Sequence, residues 1–310
     1  MISISSRLNG ILSKIFCLIL SAIITLVFVH RNPKIGIFEQ IYFANLSATC
    51  VIIIWLITTK PYRKNGNQTL YQAISQIDIK WYFVRAILSL IAMTVWSYIS
   101  KKLGAYEVTL IGYLGLVSPL IISHILDLEK IRLSSVFGII ICILAVFFSL
   151  KEENKIISII NILIGLIPSI CWGGYEIICK KQSSTDDLIL QGFIVFLASV
   201  IISSPMIIPN ITKIPYNEII FAFYLGFIRI GVVFTIFLSY KNLSVNSLLI
   251  MGYLRLPIMI AINYSIFSEV PLVKTISAAI IIILTNFIII NHNKKIDKNI
   301  NNIDDITAKK

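Results

Sequence analysis

"GYLRLPIMIAINYSIFSE", residues 252–269, sets sixteen uncharged and mostly apolar residues around one guanidinium, that of Arg255. A related stretch lies 140 residues earlier: "GYLGLVSPLIISHILDLE", residues 112–129. Sliding one onto the other lays Gly-Tyr-Leu on Gly-Tyr-Leu and Glu129 on Glu269. Backward, the same register brings Lys101 onto Lys241 and Leu103 onto Leu243. Forward, it lays "VFGIIICILAVFF" over "ISAAIIIILTNFI". Greasy segments resemble one another by composition alone. The weight therefore rests on one register shared by a motif, a terminal acid and the segment boundaries.

Those segments belong to a chain that is 57% hydrophobic and 14% charged, with a mean hydropathy of +0.88. Crossing about 30 Å of hydrocarbon takes roughly 20 apolar residues as a helix. Ten such spans follow one another, at about 11–29, 37–57, 81–100, 106–126, 132–150, 156–179, 188–208, 217–239, 244–267 and 272–291. The repeat unit then holds five spans, an odd number of crossings, so its second copy enters the membrane upside down. The expected fold is an all-α membrane protein, ten transmembrane helices arranged as two inverted five-helix repeats, 11–150 and 151–291. Residues 1–10 and 292–310 flank them as cytoplasmic ends. Inverted repeats are a recurrent plan of secondary carriers, because two related halves can exchange inward- and outward-open states about one site.

The net charge of +12 raises nucleic acid as a partner, and its placement argues against it. With the N-terminus inside, sixteen of the 27 Lys and Arg fall on the cytoplasmic side, Lys14 among them, and eight outside. The remaining three, Arg85, Arg229 and Arg255, lie within spans. This bias follows the positive-inside rule and places both termini in the cytoplasm of a multi-pass membrane protein. The basic surplus orients the chain in the lipid bilayer rather than recruiting nucleic acid. The first apolar run follows Arg7 and Lys14 as a signal peptide would, but no small-x-small cleavage site follows, so it is read as a retained span.

Chemistry has little to stand on. Cys17, Cys50, Cys142, Cys171 and Cys179 are odd in number and lack a CxxC pair, which gives neither a disulfide framework nor a metal site. The three histidines are scattered, and no Gly-rich phosphate loop appears. An intramembrane enzyme would need acids, histidines or a nucleophile and base gathered at one depth. No catalytic residue, metal or cofactor is expected.

Ten spans in two halves, each with a fourth span ending in acid and followed by an apolar fifth, resemble the drug/metabolite transporter superfamily, EamA type. The similarity covers about residues 11–291. Residues 81–131, "WYFVRAILSLIAMTVWSYISKKLGAYEVTLIGYLGLVSPLIISHILDLEKI", carry it best. Arg85 and the "WSY" at Trp96–Tyr98 are similar to the S-adenosylmethionine uptake carriers of obligate intracellular bacteria within that superfamily. Asn45 stands where second helices of the family often carry arginine. The resemblance implies a small-molecule carrier, with S-adenosylmethionine, an amino acid or a phosphorylated metabolite as substrate. A non-transporting membrane scaffold or receptor is the rival reading, since fold does not fix function.

The candidate substrate-binding residues are Arg85, Trp96, Trp172, Arg229, Tyr240 and Arg255. Arg85, Ser89, Ala92 and Trp96 fall within about 60° of one another on a helical wheel. Arg229 and Tyr240 project within about 20°. An arginine and an aromatic on one stripe can hold an anionic group and a flat ring together. Arg85 begins about four residues into its span and could instead snorkel to the cytoplasmic headgroups. Arg229 and Arg255 lie too deep to snorkel. A central arginine costs about 2.5–3.5 kcal/mol on insertion scales, and no carboxylate is expected at comparable depth. Two central cations without a fixed counter-ion point to a ligand bearing carboxylate or phosphate. Ser169, Trp172, Tyr175 and Glu176 share a helical face beside Gly173-Gly174, and Glu176 is the candidate proton-coupling acid. Pro119 and Pro257, in corresponding spans, are expected to act as pivots, since proline deletes a hydrogen bond and bends its helix. Glu129 and Glu269 are read as structural acids at the membrane edge. The largely apolar fifth and tenth spans are expected to serve as scaffold or as the surface of a homodimer.

Overall fold

The computed structural model describes residues 4–31, 35–59, 77–114, 155–182, 188–243 and 245–285. It also describes residues 74, 118, 122, 137–138, 140–141, 144–145, 148 and 287–288. All regular structure among them is helical: α1 (Ile4–His30), α2 (Ile37–Thr59), α3 (Ile79–Leu103), α4 (Ala105–Leu114), α5 (Lys155–Gln182), α6 (Leu188–Ile207), α7 (Tyr216–Asn242), α8 (Val245–Gly252), α9 (Arg255–Phe267) and α10 (Val273–Thr285). Six of these carry segments long and apolar enough to cross a bilayer: Ser6–His30, Ile37–Thr58, Ile79–Leu103, Leu163–Gln182, Leu188–Ile207 and Tyr216–Asn242. Pro119 and Glu129 lie outside the described residues, as does most of the fifth span.

Helix ends follow local chemistry. Gly104 terminates α3 at a φ of 95°, a backbone conformation that favours glycine, and its N–H closes on the Ser100 carbonyl at 2.9 Å. Pro215 precedes α7 in an extended conformation, as a residue without an N–H to lose should. The Lys180 ammonium donates to the carbonyls of Tyr240 (2.7 Å) and Leu243 (2.9 Å), satisfying acceptors that the end of α7 would leave bare.

The molecule is apolar outside, and its largely apolar interior seals in a minority of polar groups. Ile54, Ile57, Leu163 and Val273 face outward, while Gln40, Asn45, Arg85 and Gln191 are sealed inside. That placement suits lipid as solvent, because hydrocarbon offers nothing to hydrogen-bond with. One large core joins α1, α2, α3, α5, α6 and α7, and a second joins α1 and α4 to α9 and α10. Close approach between helices depends on small residues. At Gly226 of α7, a Cβ would lie 2.6 Å from the Ala44 carbonyl oxygen of α2. Ser47 secures that crossing by donating to the Phe223 carbonyl at 3.0 Å.

The neighbours come in matched pairs. α1 packs on α7, and α5 on α3; α2 packs on α7, and α6 on α3; α1 packs on α9, and α5 on α4. Each contact turns into the other when the spans of the two halves are exchanged.

Candidate functional site

A central cavity of about 150 Å³ opens between α1, α3, α4, α5, α6, α7 and the α8–α9 junction. Small side chains make the room: Ser21, Ser89, Ala92, Gly112, Gly173 and Ser199 all line it. The aromatic and charged residues among them give the cavity its character.

The α8–α9 break places Arg255. Pro257 has no N–H to offer the Tyr253 carbonyl one turn back. The Tyr113 hydroxyl of α4 donates to that carbonyl at 2.7 Å and accepts from the Leu256 N–H at 2.7 Å. One phenol thus splices the interrupted helix, and Arg255 opens the second piece at the cavity wall. Its Nη2 donates to the Thr25 hydroxyl at 2.9 Å, and its guanidinium lies 4.7 Å over the Trp96 ring. Thr25 donates in turn to the Ser21 carbonyl (3.0 Å), which leaves its oxygen lone pairs for Arg255 and for the Trp96 indole N–H at 3.4 Å. Gly112 permits this placement, since a Cβ there would meet the Trp96 ring at 2.7 Å.

Arg229 reaches the cavity from the middle of α7. It is 8% exposed, its Nη1 has no hydrogen-bond partner, and the nearest ring face is Phe196 at 5.9 Å. Neither Arg229 nor Arg255 has a carboxylate within ion-pair distance among the described residues; the two ion pairs there are Arg31–Glu218 and His30–Glu269. Trp172 stacks on Tyr175 at 5.1 Å and 14°, and Trp172, Tyr175 and Glu176 all line the cavity. Glu176 is 4% exposed and stands beside the Tyr240 side chain.

Two candidate residues sit behind the wall rather than on it. Arg85 is fully buried, donating to the side-chain carbonyls of Gln182 and Gln191 and to the Tyr175 hydroxyl. The rings of Tyr175 and Phe237, both 4.8 Å away, close the box. Snorkelling to the headgroups is overturned, because the guanidinium is enclosed here with Nη1 and Nη2 bonded, while its Nε has no hydrogen-bond partner. Ser89, Ala92 and Trp96 of the same face do reach the cavity. Tyr240, 1% exposed, lies under the Lys14 ammonium at 6.0 Å.

Lys14 itself corrects the charge reading. It is 5% exposed and lines the cavity, so it is an interior cation and not a cytoplasmic one. The signal was legible: Lys14, Cys17, Ser21 and Thr25 recur at helical spacing as a polar stripe on an apolar span. Tyr113 carried no comparable signal, because its role depends on a helix from elsewhere in the chain. At the His30 end of α1, Asn263 bridges the Tyr106 hydroxyl (2.8 Å) and the Glu269 carboxylate (3.0 Å), and His30 contacts Asn263 at 3.1 Å. Among the described residues no group of His, Cys, Asp or Glu could hold a metal ion.

An apolar-faced bundle with six helices long and apolar enough to cross a bilayer, packed around a central cavity, is the architecture of a multi-pass membrane protein. Residues 8–151 match the sequence model of the EamA-like transporter family. No curated protein matches the sequence. A crystal structure of a protein is similar over 91% of this chain and 95% of its own, with a TM-score of 0.61 at 14% identity. At that identity the likeness concerns the fold alone.

Proposed function

We propose that the chain is a secondary carrier of EamA type in the bacterial inner membrane, moving a small polar metabolite with an anionic group by alternating access. The observation that carries this is Arg229, held at the centre of α7 against the cavity with no carboxylate within ion-pair distance among the described residues. A buried charge without a partner is costly, and in membrane proteins such residues mark substrate or ion pathways. The matched helix neighbours support two inverted repeats around that cavity, and the family match ends at residue 151, where the first repeat is expected to end. Arg255 and Arg229 would hold the anionic group, with Trp172 and Tyr175 beside a flat one. Arg85 and Tyr240 would support the wall from behind, Glu176 would carry a proton in coupled transport, and Pro257 would serve as pivot. S-adenosylmethionine, an amino acid and a phosphorylated metabolite each offer an anionic group to this site.

The test is uptake of those three labelled classes into a bacterial host lacking its own carriers for them. Saturable accumulation above the empty vector, lost in Arg229→Ala at equal membrane expression, is the expected result. Accumulation of none of them would move the protein to the class of non-transporting receptors or scaffolds.

A further inference from the structure

The charge inventory of the cavity narrows the ligand, on the footing that the chain is the carrier proposed above. Four charged side chains line it among the described residues: Lys14, Glu176, Arg229 and Arg255. Three of them are cations and one is an acid, and no carboxylate lies within ion-pair distance of Arg229 or Arg255 among the described residues. The described partner of Arg255 is the neutral Thr25 hydroxyl, its Nε is unbonded, and Arg229 keeps an unbonded Nη1 at 8% exposure. Behind the Tyr175 wall, Arg85 adds a third guanidinium with hydrogen-bond partners that are all neutral. The acids that could have answered are engaged elsewhere, Glu218 with Arg31 and Glu269 with His30 and Asn263.

The cavity therefore holds about two positive charges in excess, in a low-dielectric interior where charge imbalance is felt strongly. A zwitterion leaves that excess untouched, and a single carboxylate removes half of it. Two negative charges remove all of it, and guanidinium forks match carboxylate and phosphate oxygens in pairs. We infer that the cavity is built for a small organic dianion, a dicarboxylate or a phosphate monoester, held between Arg229 and Arg255.

Full-length protein purified in detergent at pH 7.5 tests this with matched probes. Succinate is set against butyrate, glycerol 3-phosphate against glycerol, and S-adenosylmethionine stands as the non-dianionic comparator. The readouts are the thermal unfolding midpoint and quenching of tryptophan fluorescence, each titrated. Expected is saturable binding of at least one dianion, with its uncharged or singly charged counterpart and S-adenosylmethionine weaker by roughly tenfold or more, the scale of one charged hydrogen bond. Arg229→Gln and Arg255→Gln should each weaken that binding by a similar factor, and the double variant should abolish it. Arg229→Lys, which keeps the charge, should recover part of it, and ligand-free midpoints near that of the parent show that the variants fold. Butyrate or S-adenosylmethionine binding as tightly as the dianions overturns the inference, and so does binding of neither dianion. Proteoliposomes separate this from the carrier reading. A dianion that binds through both arginines but never crosses supports the site and removes the carrier, whereas arginine-independent passage of S-adenosylmethionine or butyrate supports the carrier and removes the site.

Discussion

Arg85, buried, and Arg255, half-buried at the cavity wall, sit in opposite chemical situations, and their substitutions should part accordingly. Arg85 is enclosed by the acceptors of Gln182, Gln191 and Tyr175. Arg85→Met removes three hydrogen bonds made by a charged donor, each worth about 1.5–3 kcal/mol. Its unfolding midpoint in detergent should fall clearly. Arg255 leaves behind only the Thr25 hydroxyl, which keeps its bond to Ser21. Arg255→Ala should therefore abolish uptake while the midpoint stays near that of the parent, because a costly charge has gone and no anion has been stranded. Arg255→Lys should recover part of the uptake, since an ammonium cannot present a bidentate fork. Normal uptake by the alanine variant would remove Arg255 from the binding site. At this scale the sequence was informative where depth alone decides, as for Arg229 and Arg255. It failed for Lys14, where three residues from the nominal start of a span looked like the membrane edge. The polar stripe running on from it through Cys17, Ser21 and Thr25 is what draws the edge inward.

The ninth span is where local rule and tertiary contact meet. Proline at 257 announced an interruption in the sequence, yet nothing there said how the freed groups would be satisfied. The answer is Tyr113, which occupies in the first half the register position that Tyr253 holds in the second. The two rings meet at 5.1 Å, and the Tyr113 hydroxyl bonds the Tyr253 carbonyl and the Leu256 N–H. Tyr113→Phe removes both bonds at once and should lower stability by about 2 kcal/mol, the order expected for two modest hydrogen bonds inside protein. Pro257→Ala returns an N–H that can reach the Tyr253 carbonyl as ordinary helix. The double variant Tyr113→Phe/Pro257→Ala should therefore lose less stability than the two single losses added together, a coupling that thermal melts of all four proteins would measure. Strict additivity would mean that the phenol packs without splicing. Element boundaries elsewhere were legible, because Gly104 and Pro215 act through their own backbone.

For the molecule as a whole, orientation and repeat stand or fall together. Moving Lys14 into the interior leaves fifteen expected cytoplasmic cations against eight outside, so the expected bias in orientation survives the correction. The exchange of neighbours between halves, α1 on α7 answered by α5 on α3, is the pattern that the proposed inverted repeats would produce. Such repeats require five crossings per half and both termini on one side. Reporter fusions after Lys64, Lys181 and Lys295 should read cytoplasmic, and fusions after Lys34, Lys102 and Lys213 should read outside. The fusion after Lys102 carries the most weight, because three complete spans precede it and Gly104 turns the chain directly afterwards. A cytoplasmic signal there would place α3 the other way round. Arg85 and its glutamine box would then sit at the outer face, and the two halves would no longer be inverted copies. An odd number of crossings between the termini would have the same consequence, since only an even total lets two odd halves share one cavity with opposite orientation.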